Sequence, residues 1–137
     1  MQVITSKDNE AIKNIRKLKE KKYRDLTGTY IVEGMKMIKE AIEENANIKQ
    51  IVVCDDCLKD EGCTEQKFLY QIAKYECIYV SSKVFGLLTD VVNPQGMLAI
   101  IEKENGEEKI NYNDDIIIVL DGIQDPRKFR NNFKNCR

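Results

Sequence analysis

The sequence contains no histidine, so any zinc site in it would lack imidazole ligands and the question falls first on its cysteines. No apolar stretch approaches the roughly 18 residues of a membrane span, and the N-terminal "MQVITSKDNE" lacks the apolar core of a signal peptide. These absences point to a cytoplasmic protein with no membrane partner. Nothing marks an oxidising compartment, which argues against structural disulfides. What is present is ordinary for a globular protein: 42% hydrophobic and 33% charged residues in a chain of 137. That length gives one domain, or one domain and a fragment, with a real core.

The five cysteines are Cys54, Cys57, Cys63, Cys77 and Cys136. Cys54-x-x-Cys57 has ligand spacing, and Cys63 and Cys77 would complete a four-thiolate site. However, Cys54 ends the apolar run "IKQIVVC" and Cys77 opens "CIYV". Both fit small buried strand residues better than ligands, so no metal is expected.

The net charge of −1 hides an asymmetry. Residues 1–24 hold eight Lys/Arg against three Asp/Glu, residues 25–126 hold nine against twenty, and residues 127–137 hold five against none. A basic end on an acidic body suits contact with nucleic acid, or simply a solvated Lys-rich helix face.

Along the chain, "ITSKDNEAIKNIRKLKEKKYRD" places Ile12, Ile15 and Leu18 at helical spacing behind Ser6 as N-cap. A basic amphipathic helix is expected to about Tyr23. "GTYIVEG" reads as a strand with Tyr30 and Val32 on one face and Ile31 on the other, turning at Gly34 into the helix "MKMIKEAIEEN". That helix should bury Met37, Ile38, Ala41 and Ile42. "IKQIVVC", "CIYV" and "PQGMLAIIEK" read as strands, alternating with helices at "EQKFLYQIAKYE", with Phe68, Leu69, Ile72 and Ala73 inward, and at "SSKVFGLLTDVV". This order predicts an α/β fold, a two- or three-layer sandwich, over residues 1–103. Residues 104–114 are polar and acidic and read as a linker. "IIIVL", within residues 115–126, has the continuous apolar pattern of a strand covered on both faces in a parallel sheet. It starts a second domain or adds a strand to the first sheet.

Four segments together resemble one family. "ITSKDNEAIKNIRKLKEKKYRD" with "YIVEGMKMIKEAI", "VVNPQGMLAI" and "IIIVLDGIQDP" are similar, in this order, to segments of the SpoU-type (TrmH-like) RNA ribose 2′-O-methyltransferases. The resemblance spans residues 4–126. It implies an N-terminal α/β domain resembling ribosomal proteins that grip kinked RNA. It further implies a C-terminal knotted domain that binds S-adenosylmethionine, dimerises and methylates a ribose 2′-hydroxyl. RNA, above all rRNA, is the implied partner.

Beyond Pro126 the resemblance breaks. The family continues Gly-Asn-Leu-Gly-Thr-Ile-Leu-Arg-Thr-Ala, with catalytic Asn and Arg, whereas this chain reads "RKFRNNFKNCR". Synonymous codons exist for that tail which, shifted by one base, encode the ten family residues. A frameshift after Pro126 is therefore expected, with Lys128 standing where the family has its Asn and Lys134 where it has its Arg. Lys134 lacks the planar fork that holds two oxygens. Residues 127–137 are then an out-of-family basic tail, and the catalytic domain is largely missing. On this view the chain carries no cofactor site or catalytic residue of its own and is a monomer or a non-native oligomer.

The residues expected to bind RNA follow from charge and turn chemistry. Arg16, Lys17, Lys21, Lys22 and Arg24 supply cations for phosphates, with Tyr23 free to stack on a base. Arg24 and Lys36 flank Glu33-Gly34, where a helix N-terminus offers backbone N–H groups to a phosphate. Glu33 is expected to orient these cations. Gln95 can donate and accept, and Gly96 permits close backbone approach. Both Gly turns also fit plain turn chemistry. A stand-alone, non-enzymatic RNA-binding protein resembling ribosomal kink-binders is the alternative to a methyltransferase fragment.

Overall fold

The computed structural model describes residues 2–58 and 66–103. These belong to the first of two units of the chain, Met1–Asn105; the second, Gly106–Arg137, with the "IIIVL" run and the basic tail, lies outside the described residues. So do Cys63 and Cys136.

The elements run β1 (Val3–Ile4), α1 (Glu10–Lys17), α2 (Lys21–Thr27), β2 (Thr29–Glu33), α3 (Met35–Glu43), β3 (Ile48–Cys54), a 3-10 turn (Asp55–Leu58), α4 (Gln66–Ile72), β4 (Cys77–Val80), α5 (Ser82–Leu88) and β5 (Met97–Glu102). The strands form one sheet in the order β1-β4-β3-β5-β2. β1, β4 and β3 are parallel neighbours, whereas β5 runs antiparallel to both β3 and β2.

Helices cover both faces, which makes the sandwich three-layered. Ile12, Ile15 and Leu18 of the α1 region and Val84, Phe85 and Leu88 of α5 pack on Val52, Val80, Leu98 and Ile100. On the opposite face Ile38 of α3 and Phe68 and Ile72 of α4 pack on Ile51, Val53, Met97, Ala99 and Ile101. β3 and β5 are central, so the sides of "IVVC" and "MLAII" are buried alternately in the two layers, which explains why neither run alternates with polar residues. β2 splits as its pattern predicts, with Ile31 on the first face and Tyr30 and Val32 on the second. Phe85 and Phe68 are the largest wholly buried side chains of their respective layers.

Local chemistry departs from the sequence expectations at several points. Asn9, not Ser6, caps α1: its side chain accepts from the Ala11 N–H at 2.9 Å, while Ser6 Oγ accepts from Asp8 N–H in a turn. The basic segment is two helices rather than one. After Leu18 the apolar spacing lapses, Glu20 adopts an extended backbone (φ −89°, ψ 134°), and α2 starts afresh. In α3, Met35 turns toward the core and Met37 is 46% exposed. Ala73 lies past the end of α4 and is exposed. β1 has no sequence signal of its own; two residues long, it pairs Val3 with Tyr79 and Ile4 with Val80 at the sheet edge.

The C-terminus of α3 shows why "NAN" stops a helix. Asn45 takes a left-handed conformation (φ 55°), the Ala46 N–H reaches back to the Ala41 carbonyl at 2.8 Å and the Asn45 N–H to that of Ile42 at 3.1 Å. These bonds satisfy carbonyls the helix would otherwise leave unpaired.

Candidate nucleic-acid interface

The two glycine turns singled out in the sequence meet in space. Glu33 pairs with Leu98 across the β2–β5 ladder, and the Gly34 N–H donates to the Met97 carbonyl at 2.9 Å. That register sets Gln95 over the start of α3, where its Oε1 accepts from the Met35 N–H at 3.1 Å. Gln95 thereby caps α3 from 60 positions away, taking one of the N–H groups expected to be free for a phosphate. Gly34 has φ 95°, and a Cβ there would stand 3.0 Å from Gln95 Oε1. The positive φ favours glycine, and the close approach means that any other residue would also push Gln95 aside. Gly96 (φ 74°) is buried, and its carbonyl receives the Cys54 N–H at 2.8 Å, locking the turn onto β3.

Around α1 and α2 the cations divide into engaged and unengaged. Residues 10–27 carry seven Lys/Arg and three Asp/Glu. Lys13 bonds Glu10 at 3.2 Å. Lys17 bonds Asn14 at 3.3 Å and lies 5.9 Å from the centre of the Tyr23 ring. Lys19 reaches across to α5, donating to the Thr89 carbonyl at 3.1 Å and to Asp90 at 2.8 Å. Arg24 donates from Nη1 to the Leu18 and Lys19 carbonyls at 2.9 and 2.6 Å. It ties off the end of α1, satisfying carbonyls that the break before α2 would orphan. Arg16, Lys21, Lys22 and Lys36 are exposed and make no hydrogen bond or ion pair with a described residue, although the charge of Lys21 is felt by Asp25.

Glu33 does not orient the cations as expected. Its Oε1 accepts the Thr89 hydroxyl at 2.6 Å, and that hydroxyl in turn accepts the Val91 N–H at 2.9 Å. Thr89, Asp90 and Lys19 were thus missed as neighbours of Glu33. They sit 56 or more positions from their partners, and no local pattern announces such contacts.

Two clefts lie along this region. One, of about 320 Å³, is lined among others by Leu18, Lys19, Arg24, Ile31, Glu33 and Leu88. The other, of about 460 Å³, is lined by Lys13, Arg16, Lys17, Lys19, Glu20 and Leu87. Lys19 belongs to both. The larger cleft has a cationic wall interrupted by Glu20, which suits anions, whereas the smaller one sets Lys19 and Arg24 against Glu33 and Asp90.

Three groups among the described residues have shifted titrations. The Lys103 ammonium, hydrogen-bonded at 2.8 Å, holds the Asp25 carboxyl below its ordinary value. Burial, aided by the charge of Glu76, pushes the Cys77 thiol up, and burial does the same to the Tyr79 phenol. Cys77 and Cys54 do not share a site. Cys54 pairs with Val80 and Cys77 with Ile51 along β3–β4, about 10 Å apart at the strand rise. They also pack on opposite faces of the sheet. Among the described residues no cluster of acids or thiols is able to hold a metal, and no helix is long and apolar enough to cross a membrane.

Known proteins share this architecture. The chain is 29% identical over 126 residues to 23S rRNA (guanosine(2553)-2′-O)-methyltransferase RlmP of Bacillus subtilis, covering 92% of this chain and 46% of that protein. It superposes on the crystal structure of an rRNA methyltransferase from Sinorhizobium meliloti with a TM-score of 0.59 at 27% identity, covering 74% of this chain and 37% of that one. The fold recurs in an RNA 2′-O ribose methyltransferase at TM-score 0.64 and 23% identity, covering 91% of this chain and 47% of that one. The chain thus spans less than half the length of these relatives. Residues 9–99 match the MRM3-like substrate binding domain. That stretch covers most of the described sheet and the five helices of the described residues, and the chain therefore belongs to the MRM3-like substrate-binding domain family of the SpoU-type methyltransferases.

Proposed function

We propose that this chain is the rRNA-recognition part of a SpoU-type, S-adenosylmethionine-dependent ribose 2′-O-methyltransferase. The observation that carries the proposal is the set of unengaged cations on α1 and α2. Arg16, Lys21 and Lys22 are exposed and bond to no described residue, beside a cleft walled by Lys13, Lys17 and Lys19. Cations held out in solvent in this density repel one another and gain by meeting phosphates, with release of counterions. Lys36 adds a separate exposed cation beside the Gly34 turn, at the start of α3 on the other face of the sheet. Arg24, Glu33, Gly34, Gln95 and Gly96 shape the region from behind: they cap helices and fix the β2–β5 register. Gln95 Nε2 and the remaining Arg24 N–H groups stay available to RNA.

In this proposal "IIIVLDGIQDP" opens the knotted catalytic domain, and the first unit has the fold that resembles ribosomal kink-binders. Lys128 and Lys134 replace the family's Asn and Arg, so no methyl transfer is assigned to this chain alone. Electrophoretic shift of structured 23S rRNA fragments by the whole chain at low salt tests the RNA role, with a retarded complex expected and its absence contradicting the proposal. Titration calorimetry with S-adenosylmethionine tests the rest. Heat of binding would contradict the assignment of recognition without catalysis.

A further inference from the structure

The smaller cleft has chemistry that the phosphate-binding surface does not need. Leu18, Ile31 and Leu88 give it an apolar floor; of its charged lining, Lys19 and Asp90 are paired with each other at 2.8 Å, which leaves Glu33 as acceptor and Arg24 as donor. Its volume of about 320 Å³ is at the small end of ligand pockets, roughly 300–1,000 Å³, and suits one planar heterocycle. Each polar group is anchored on one side and open on the other. The Thr89 hydroxyl accepts from the Val91 N–H, so its proton is directed to Glu33 Oε1, and no described residue donates to Oε2. Arg24 spends Nη1 on the Leu18 and Lys19 carbonyls, and its Nη2 and Nε bond to no described residue.

We propose that this cleft takes a guanine base turned out of single-stranded RNA, with Glu33 and Arg24 reading its Watson–Crick edge. The proposal rests on the RNA-binding role above. Guanine presents two adjacent N–H donors, N1–H and N2–H, beside the O6 acceptor. A carboxylate accepts the two donors together and a guanidinium donates to O6. Adenine and cytosine each set a single amino donor beside a ring-nitrogen lone pair, which a carboxylate repels, and uracil sets one imino donor between two carbonyls. The apolar floor meets the flat face of the base, as unstacked bases require. The neighbouring cleft, sharing Lys19 and lined by Arg16 and Lys17, lies where the flanking phosphates would run.

Fluorescence anisotropy of the whole chain with labelled RNA pentamers UUGUU, UUAUU, UUCUU, UUUUU and the inosine analogue UUIUU, at low salt, tests this. UUGUU should bind about ten- to a hundredfold tighter than UUAUU and UUCUU, with UUIUU, which lacks the 2-amino donor, in between. Glu33→Gln, nearly isosteric and still able to accept from Thr89, should erase the ratio between UUGUU and UUAUU. Thr89→Val, which leaves the carboxylate but frees it to rotate, should shrink it. Equal, salt-sensitive binding of all five pentamers overturns the guanine assignment and leaves the RNA role standing. No binding of any pentamer at low salt overturns both. A guanine preference that survives Glu33→Gln overturns the role given to Glu33.

Discussion

Substituting Gly34 should disturb the junction of the two turns in two separable ways. Its backbone, at φ 95° and ψ 145°, lies in a region close to glycine-only, where another residue costs about 1–3 kcal/mol. The new methyl would also meet Gln95 Oε1 at 3.0 Å. That atom is the end of a flexible side chain, so it can retreat, but retreat breaks its bond to the Met35 N–H. Losing this cap costs about 0.5–1.5 kcal/mol, toward the lower end because Gln95 is exposed and water can replace it. Gly34→Ala is therefore expected to destabilise by about 2–4 kcal/mol in urea unfolding. Gln95→Ala alone should cost about 0.5–1 kcal/mol. The double variant should cost less than the sum of the two singles by roughly the value of the cap, since Gln95 is then no longer present to be displaced. Strict additivity, or a Gly34→Ala cost below about 0.5 kcal/mol, would refute the contact described between the two turns.

Arg24→Lys should loosen the α1–α2 break by about 1–2 kcal/mol, because an ammonium does not reproduce the guanidinium's placement on two carbonyls; chemical denaturation checks it, and an unchanged midpoint would contradict the capping role. The Cys77 thiol is held above its unfolded value near 9.0 by burial and by Glu76. Its contribution to stability is full below that unfolded value and is lost as pH rises through the folded one. Cys77→Ser should therefore flatten the alkaline limb of the stability–pH curve, as read by thermal melts between neutral pH and about pH 10. Sequencing the gene tests the frame expectation: codons for residues 127–137 should yield Gly-Asn-Leu-Gly-Thr-Ile-Leu-Arg-Thr-Ala one base along, and incompatible codons would remove it.

Much of the fold was legible because its elements announce themselves by period and punctuation. "GTYIVEG" and "PQGMLAIIEK" lie between glycines or follow a Pro, and both are strands, here joined antiparallel. What failed was decided by contacts that spacing does not show. The apolar spacing lapses after Leu18, but the α1–α2 break is closed by Arg24 reaching back six and five positions to the Leu18 and Lys19 carbonyls, a bond that "KEKKYRD" does not signal. Met35 and Met37 both neighbour the apolar stripe of α3, and which one faces inward depends on how the turn at Gly34 sets the helix on the sheet. A two-residue strand such as β1 is too short to show alternation, and its existence rests on pairing with β4.

The candidate site was legible in part. Charge counting found the basic helices, and the turn residues Glu33-Gly34 and Gln95-Gly96 stood out separately. Their mutual contact follows from the β2–β5 register. The Glu33–Thr89 bond and the division of cations into engaged and unengaged were invisible, since both depend on which side chains the folded helices bring within about 3 Å of each other. Arg24 shows the cost of reading charge alone: a cation chosen first for RNA serves first as a helix cap.

The central claim, that the unengaged cations of α1 and α2 meet RNA phosphates, is tested most directly by salt dependence. Binding of a structured 23S rRNA fragment is measured across about 50–200 mM salt for the native chain and for Arg16→Gln/Lys21→Gln/Lys22→Gln. These side chains bond to no described residue, so stability should stay within about 0.5 kcal/mol. Removing one cation from its phosphate should reduce the slope of log affinity against log salt by about 0.7–0.9. Three such removals predict a slope shallower by about 2 to 2.7, with a proportionate fall in low-salt affinity. A slope and affinity unchanged by the triple substitution would contradict the claim.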